Sequence, residues 1–301
     1  MPSPRLVYSK HYCVDIGQHV FPTVKYRLIH HKLIEEEKLS PSDFVEPEPA
    51  GDEDLFLVHT KEYVEKLKTG TLSAAEVMTH EQPYSEELVR ASYLCVGGTI
   101  LASRIAIETG VGIHIGGGFH HAFPDHGEGF CVFNDIAIGI KKMQKESRIR
   151  KALVIDCDLH QGNGTAFIFS KDETVFTFSI HQENNYPFFK PRSTLDIGLN
   201  DRAKDREYME SLAKHIPRII SDFKPDMIVY VAGADPYKGD MIGNLALSIE
   251  GLKQRDRFIF ETSKNYGIPV VTVLAGGYAQ NYNDTVQIHF NTVMTGLRGQ
   301  P

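Results

Sequence analysis

The segment LVIDCDLHQGNG, residues 153–164, carries carboxylates and an imidazole out of an apolar run and then breaks on Gly162 and Gly164. In extended backbone, residues i and i+2 face the same side, so an Asp158 oxygen and a His160 nitrogen can meet one cation. A mixed oxygen and nitrogen set with an open position suits catalytic zinc, and other divalent metals also use it. A third ligand is needed, and Asp235, in GADPYKGD just past another apolar run, is the candidate. Taken alone, an Asp-x-His pair more often bonds loop backbone. The metal reading rests on the company it keeps.

His120 and His121 follow Gly116, Gly117 and Gly118, which let the backbone turn tightly. Two imidazoles beside a cation can act as base and acid toward an attacking water. Each needs a partner for its far nitrogen, and Asp156 and Asn163 are the candidates. A second tandem pair, His30–His31, lies in the helix-like stretch YRLIHHKLIEEE with no acid at a strand end. It is read as structural or solvent-facing, so tandem histidines alone prove little. Tyr278, after Gly276 and Gly277, could donate a hydrogen bond to a developing oxyanion. A lone GGY would more often mark a tyrosine that merely packs. Phe130, beside Gly129, and the trio Tyr186, Phe188 and Phe189 are read equally as walls of an apolar channel or as core. Glu128 and Asp125 are read as solvated, and His126 and His181 receive no role.

These residues must be positioned by something. Short apolar runs recur at 111–115, 152–156, 174–180, 227–232 and 269–275. They are continuous rather than alternating, as in parallel strands buried on both faces. Helical stretches lie between them, at 85–108, 134–146, 207–223 and 247–266, and Pro217 should kink or split the third. Strand–helix alternation predicts an α/β fold with a parallel sheet. Each run ends in glycines and polar residues, and open parallel sheets bind ligands at the carboxyl ends of their strands. Five such ends converging on one rim argue more strongly than any single motif. The acidic segment 41–54 reads as a surface loop, and residues 1–301 as one domain.

Bulk properties bound the function. The chain is 42% hydrophobic and 24% charged with a net charge of −7, so neither a nucleic-acid nor an anionic-membrane surface is expected. Cys13, Cys95, Cys131 and Cys157 are scattered without a CxxC, which fits a reducing compartment. The first residues lack an apolar signal core, and no apolar run approaches the roughly 18 residues that span a bilayer. A cytoplasmic protein is expected.

The stretches GGGFHHAFPDHGEGFCVFND, LVIDCDLHQGNGTA, VAGADPYKGDMIGNLALS and LAGGYAQN together resemble the zinc-dependent histone deacetylase family, in the same order and similar spacing. YSKHY and VHTKEYVEKL resemble its opening region, so the likeness covers nearly the whole chain. Asn163 stands where class I members carry aspartate, which resembles the class IV branch and its bacterial relatives, as does the compact length. The resemblance implies an arginase/deacetylase-type fold, a mostly parallel sheet of about eight strands between helices. It implies zinc held by Asp158, His160 and Asp235, with His120 and His121 as the acid/base pair oriented by Asp156 and Asn163. Tyr278 would polarise an acyl carbonyl, and Phe130, Gly129 and one of Phe188 or Tyr186 would flank an acyl-lysine tunnel. A structural potassium is implied around Asp156, Asp158, His160 and Ser179, and a second near Phe169, Asp172 and Val175.

The substrate implied is an acylated lysine in a protein or peptide. An acetylpolyamine or other acylated small amine is the alternative, which the acidic segment 41–54 keeps open. A non-catalytic binding module is disfavoured because ligands, histidines and tyrosine are all present. A ureohydrolase is disfavoured because its two-metal site needs more bridging aspartates. Neutral Asn163 raises the basicity of its histidine less than aspartate would, leaving open which histidine is the base.

Overall fold

Ala152–Asp156 has no exposed residue, so this segment can lie only in the interior of a sheet covered on both faces. The computed structural model describes residues 6–298 and places it there. In chain order the strands are β1 (Leu6–Val7), β2 (Phe44–Val45), β3 (Val111–His114), β4 (Ala152–Asp156), β5 (Val175–Gln182), β6 (Leu195–Leu199), β7 (Met227–Val231) and β8 (Val270–Val273). They form one 8-stranded sheet in the order β2-β1-β3-β8-β7-β4-β5-β6. Every pairing is parallel. The expected α/β class and the eight-stranded parallel sheet are therefore both observed.

The helices are α1 (Lys25–Glu37), α2 (Asp52–Leu55), α3 (Lys61–Thr69), α4 (Ala74–His80), α5 (Glu86–Thr109), α6 (Asp135–Lys145), α7 (Asn163–Ile168), α8 (Asp205–Phe223), α9 (Ile249–Tyr266) and α10 (Tyr282–Arg298). Alternation along β4 divides the core. Val154 faces a cluster built with α1, α5, α6 and α10, whereas Leu153 and Ile155 face one built with α8 and α9.

Several local expectations change. β1 and β2 have two residues each, too few to show any period. β6 is a half-exposed edge with no continuous apolar run. The segment 41–54 is not plain loop: it holds β2 and the start of α2. Its acids are also engaged, Asp52 with Lys68 at 2.7 Å, Asp54 with Lys142 at 2.6 Å, and Glu46 accepting from Ser9 at 2.7 Å. Pro217 does not split α8, whose buried face of Tyr208, Leu212, Ile216, Ile219 and Ile220 holds it against the sheet. The one-domain reading of 1–301 includes residues 1–5 and 299–301, which lie outside the described residues. All four cysteines are free. Among the described residues, no helix is long and apolar enough to cross a membrane.

Arg255 of α9 is wholly buried. Its Nη1 donates to the Gly233 carbonyl at 2.7 Å and the Cys157 carbonyl at 3.3 Å, just beyond the ends of β7 and β4. Its Nε and Nη2 donate to Asp256 Oδ1 at 3.0 and 2.9 Å. Asp256 also accepts from Tyr230 at 2.5 Å and Thr292 at 2.6 Å. Arg255→Ala would leave Asp256 buried without its cation and free two strand-end carbonyls. The expected loss is about 3–5 kcal/mol. Urea unfolding measures it, and a loss no larger than that of a surface arginine would disprove the clamp.

Candidate active site

β4 and β7 are neighbours in register, with Asp156 opposite Val231, so both chains leave the sheet side by side. Beyond β4 the backbone amides fold back onto the carboxylates. Asp158 N donates to Asp156 Oδ1 at 3.1 Å, and His160 N donates to Asp158 Oδ1 at 2.9 Å. Gly276 N, from beyond β8, donates to Asp158 Oδ2 at 3.0 Å, and Leu159 N donates to Asp235 Oδ1 at 2.9 Å. Gly233 and Gly276 allow this approach, since a methyl group on either would overlap the Asp158 and Asp235 carboxylates.

Asp158, His160 and Asp235 offer ligand atoms that all lie within 4.8 Å of one another, and all three residues are buried. His160 Nδ1 lies 3.1 Å from Asp158 Oδ1 and 3.3 Å from Asp235 Oδ2. Asp235 Oδ2 is buried yet takes no hydrogen bond. Burial and the Asp158 charge push Asp235 up to about 7. Burial opposes the His160 charge, but the two aspartates outweigh it and raise the imidazole to about 10. Such a concentration of acceptors holds extra protons unless a cation takes their place, and the orphaned Asp235 oxygen fits a metal ligand.

The two histidines have different partners. His120 Nδ1 is 2.7 Å from Asp156 Oδ2, and His121 Nδ1 is 2.7 Å from Asn163 Oδ1. Burial opposes the His120 charge, but Asp156 and Asp158 outweigh it and raise the imidazole to about 9. Burial holds His121 well below the ordinary histidine value, and the positive His120 and His160 add to this. The rings lie 4.0 Å apart between centroids, with opposite protonation preferences. Tyr278 is anchored by its amide, which donates to Asp240 Oδ2 at 2.8 Å. Burial pushes its phenol above the ordinary value, which keeps it a hydrogen-bond donor.

A narrow cavity of about 20 Å³ joins these groups, lined by His120, His121, His160, Tyr278, Phe130 and Gly129 among others. Phe21 also lines it, 6.1 Å from the Phe130 ring and 6.2 Å from that of Tyr278. No periodicity around VFPT marks Phe21, which comes from a loop far away in the chain. Phe188 is not brought to the site: its side chain is fully exposed, and Phe189 is exposed as well. Tyr186 reaches the site from that loop, its ring edge-on to His121 at 5.1 Å, although it does not line the small cavity.

Glu128 is not solvated as expected. One oxygen, Oε1, accepts from Asn163 Nδ2 at 2.6 Å and from the Tyr186 hydroxyl at 2.8 Å. The signal for it was the pair of glycines in GEGF, which lets backbone approach the site closely. Asp125 is exposed and bonds His126 at 2.8 Å. His181 is buried against Ser179 at 2.9 Å. His31 is exposed beside Glu35, and His30 stacks on Tyr8 at 4.1 Å, as expected of a pair outside the site. Near the second implied potassium position, Lys141 pairs with Asp172.

A parallel α/β sheet with a carboxylate–imidazole centre on its C-terminal rim is the arrangement of arginase/deacetylase-type proteins. Residues 19–293 match the histone deacetylase domain. The chain is 41% identical over 285 residues to an uncharacterized protein of Picosynechococcus sp., covering 94% of this chain and 95% of that one. It is 32% identical to histone deacetylase 2 of Arabidopsis thaliana, covering 92% of this chain and 75% of the relative. It is 30% identical to the acetoin utilization protein AcuC of Staphylococcus aureus, covering 86% and 72%. Its fold matches the crystal structure of the HDA15 HD domain with a TM-score of 0.80 at 21% identity, over 99% of this chain and 91% of that one. The chain belongs to the histone deacetylase family.

Metal uptake should release protons. Asp235, raised to about 7, and His160, raised to about 10, must both be deprotonated to serve as ligands. Affinity for a divalent cation should therefore rise with pH up to about 10, most steeply below about 7. Calorimetry in buffers of different ionisation enthalpy counts the protons. Affinity independent of pH, with no proton release, would contradict the ligand assignment.

Proposed function

We propose that this protein is a zinc-dependent amidohydrolase that removes an acyl group from acyl-lysine in a protein or peptide. The observation that carries the reading is the convergence of Asp158, His160 and Asp235 beside two histidines of opposite protonation preference and a buried phenol. When bound by these three residues, zinc supplies a Lewis acid and lowers the pKa of a water.

The chain's own residues do the rest. His121, held neutral, takes the proton of the attacking water. His120, held protonated against Asp156, places a positive charge beside the developing oxyanion, and the Tyr278 hydroxyl donates a hydrogen bond to it. His121 then returns its proton to the leaving amine. Asp156 and Asn163 orient the two rings. Phe130, Tyr186 and Gly129, with Phe21, wall the channel and exclude competing water.

A structural potassium around Asp156, Asp158, His160 and Ser179 belongs to this reading, as does a position near the class IV branch, which Asn163 supports. So do one catalytic domain over residues 1–301 and a cytoplasmic location, which four free cysteines fit. Neither nucleic acid nor a membrane is part of the reading. An acetylpolyamine remains the alternative substrate, but the acids of segment 41–54 no longer favour it, because Lys68, Lys142 and Ser9 engage three of them.

The test is turnover of acetyl-lysine peptide, long-chain acyl-lysine peptide and acetylpolyamine, with and without chelation. His121→Ala should lower kcat by about 10²–10⁴-fold. Tyr278→Phe should lower it by about 10²–10³-fold. Bound zinc should be unchanged in both. No turnover of any substrate by protein carrying stoichiometric zinc would refute the reading.

A further inference from the structure

The amide of Asn163 can be built in either of two orientations, and its neighbours decide between them. Oδ1 accepts from Gly164 N at 3.0 Å, and Nδ2 points at Glu128 Oε1 at 2.6 Å. An ionised carboxylate only accepts hydrogen bonds, and a backbone N–H only donates. Turning the amide over would set NH₂ against N–H on one side and oxygen against oxygen on the other. Oδ1 therefore faces His121, and His121 Nδ1 must be the donor in the 2.7 Å bond between them. In neutral His121 this leaves Nε2 without a proton.

Glu128 is built for this position. Its backbone pairs with Cys131 in both directions, N to O at 3.1 Å and O to N at 2.9 Å. Phe130 sits between them at φ 67°, and its amide donates to the His80 carbonyl at 3.1 Å. Gly129, at φ 52°, lets this turn lie against the His121 ring, since a methyl group there would come within 2.8 Å of His121 Cδ2. Tyr186 donates to the same oxygen as Asn163 does, while Oε2 faces His126 at 3.5 Å. Burial opposes its charge, but the nearby His126 imidazole and the hydrogen bonds from Tyr186 and Asn163 outweigh it and keep the carboxyl below its ordinary value.

We infer that Glu128 is a positioning residue that acts through Asn163: it locks the amide so that His121 carries its proton on Nδ1 and presents a bare Nε2 to the site. The inference rests on the proposed role of His121 as base. It also gives Asn163 a meaning that its neutrality alone does not. The carboxylate is present in this chain, displaced outward by one side chain, and the amide relays its polarity to the imidazole. One consequence runs against intuition. A carboxylate at position 163, the residue type of class I members, would here face Glu128 oxygen to oxygen, with no donor between them.

The test is a cycle of variants. Asn163→Asp should lower kcat/KM by roughly tenfold or more, and adding Glu128→Gln should recover most of the loss, because the introduced amide donates to the introduced carboxylate. Glu128→Gln alone should stay within about threefold of wild type, since its carbonyl still accepts from Asn163, whereas Glu128→Ala should fall by roughly tenfold. A residue that only filled space would show no such reciprocal rescue. The second readout is independent of turnover. In protein labelled with ¹⁵N-histidine, His121 should show the Nδ1–H form in wild type, in Glu128→Gln and in the double variant, and should lose it in Glu128→Ala, where the amide is free to turn over; Asn163→Asp keeps the form, because a carboxylate only accepts. Full activity of Asn163→Asp, or a double variant no better than Asn163→Asp, would overturn the inference. Should the wild type hydrolyse no acyl amide, the hydrolase reading fails separately and the tautomer decides: a proton on Nε2 of His121 in wild type overturns the lock.

Discussion

Three carboxylates, Asp156, Asp158 and Asp235, are buried together where two adjacent parallel strands end, none more than 3% exposed. Negative charge at this density and depth is not tolerated without compensation. The surrounding structure supplies it in layers. Backbone amides of Asp158, Leu159, His160 and Gly276 donate to the carboxylate oxygens. His120 and His160 contribute imidazoles whose protons these acids favour, a role that a bound cation would take over from His160. Lys25, wholly buried, donates to the Ala275 carbonyl at 2.5 Å, and although burial lowers its amine to about 8, the Asp235 and Asp158 charges act to keep its proton. What remains uncovered is one Asp235 oxygen, at the point where a metal fits.

This charge can be concentrated only because the scaffold does not yield. β4 lies between β5 and β7, and its side chains alternate into two separate apolar layers. Arg255 reaches from behind the sheet and holds the carbonyls of Cys157 and Gly233 together. The loops bearing Asp158 and Asp235 are thus tied to one helix. Arg255, itself paired with Asp256 at 2.9 Å, bridges the two loops without any bound cation. A site held this way is preorganised, so the ligands need not be gathered when the cation arrives.

The same field divides the histidines. His120 faces an ionised carboxylate and His121 a neutral amide, and the charge on the first suppresses charge on the second. Two residues adjacent in sequence and identical in type are thereby given opposite protonation preferences. Groups whose surroundings push their pKa values apart mark the acid and the base of a catalytic pair.

Much of this was legible in the residues themselves. The run 152–156 suits a buried strand, whereas Asp158 and His160 lie in bends beyond its end, where strand alternation no longer applies and the fold brings them together. The five polar strand ends had to share a rim once the sheet was parallel, which brings Asp158, His160 and Asp235 together. Tertiary structure decided what local pattern does not carry. It placed Phe21 in the channel and left Phe188 in solvent, because a loop's path depends on contacts with distant segments. It kept α8 whole through Pro217, because packing outweighed one lost hydrogen bond. It turned Glu128 inward to Asn163, 35 residues away. The sequence by itself determined which chemical groups reach the rim, since side-chain alternation and strand ends are local properties. Only the fold decided which atom of each group faces which, because donors and acceptors are paired through space and not along the chain.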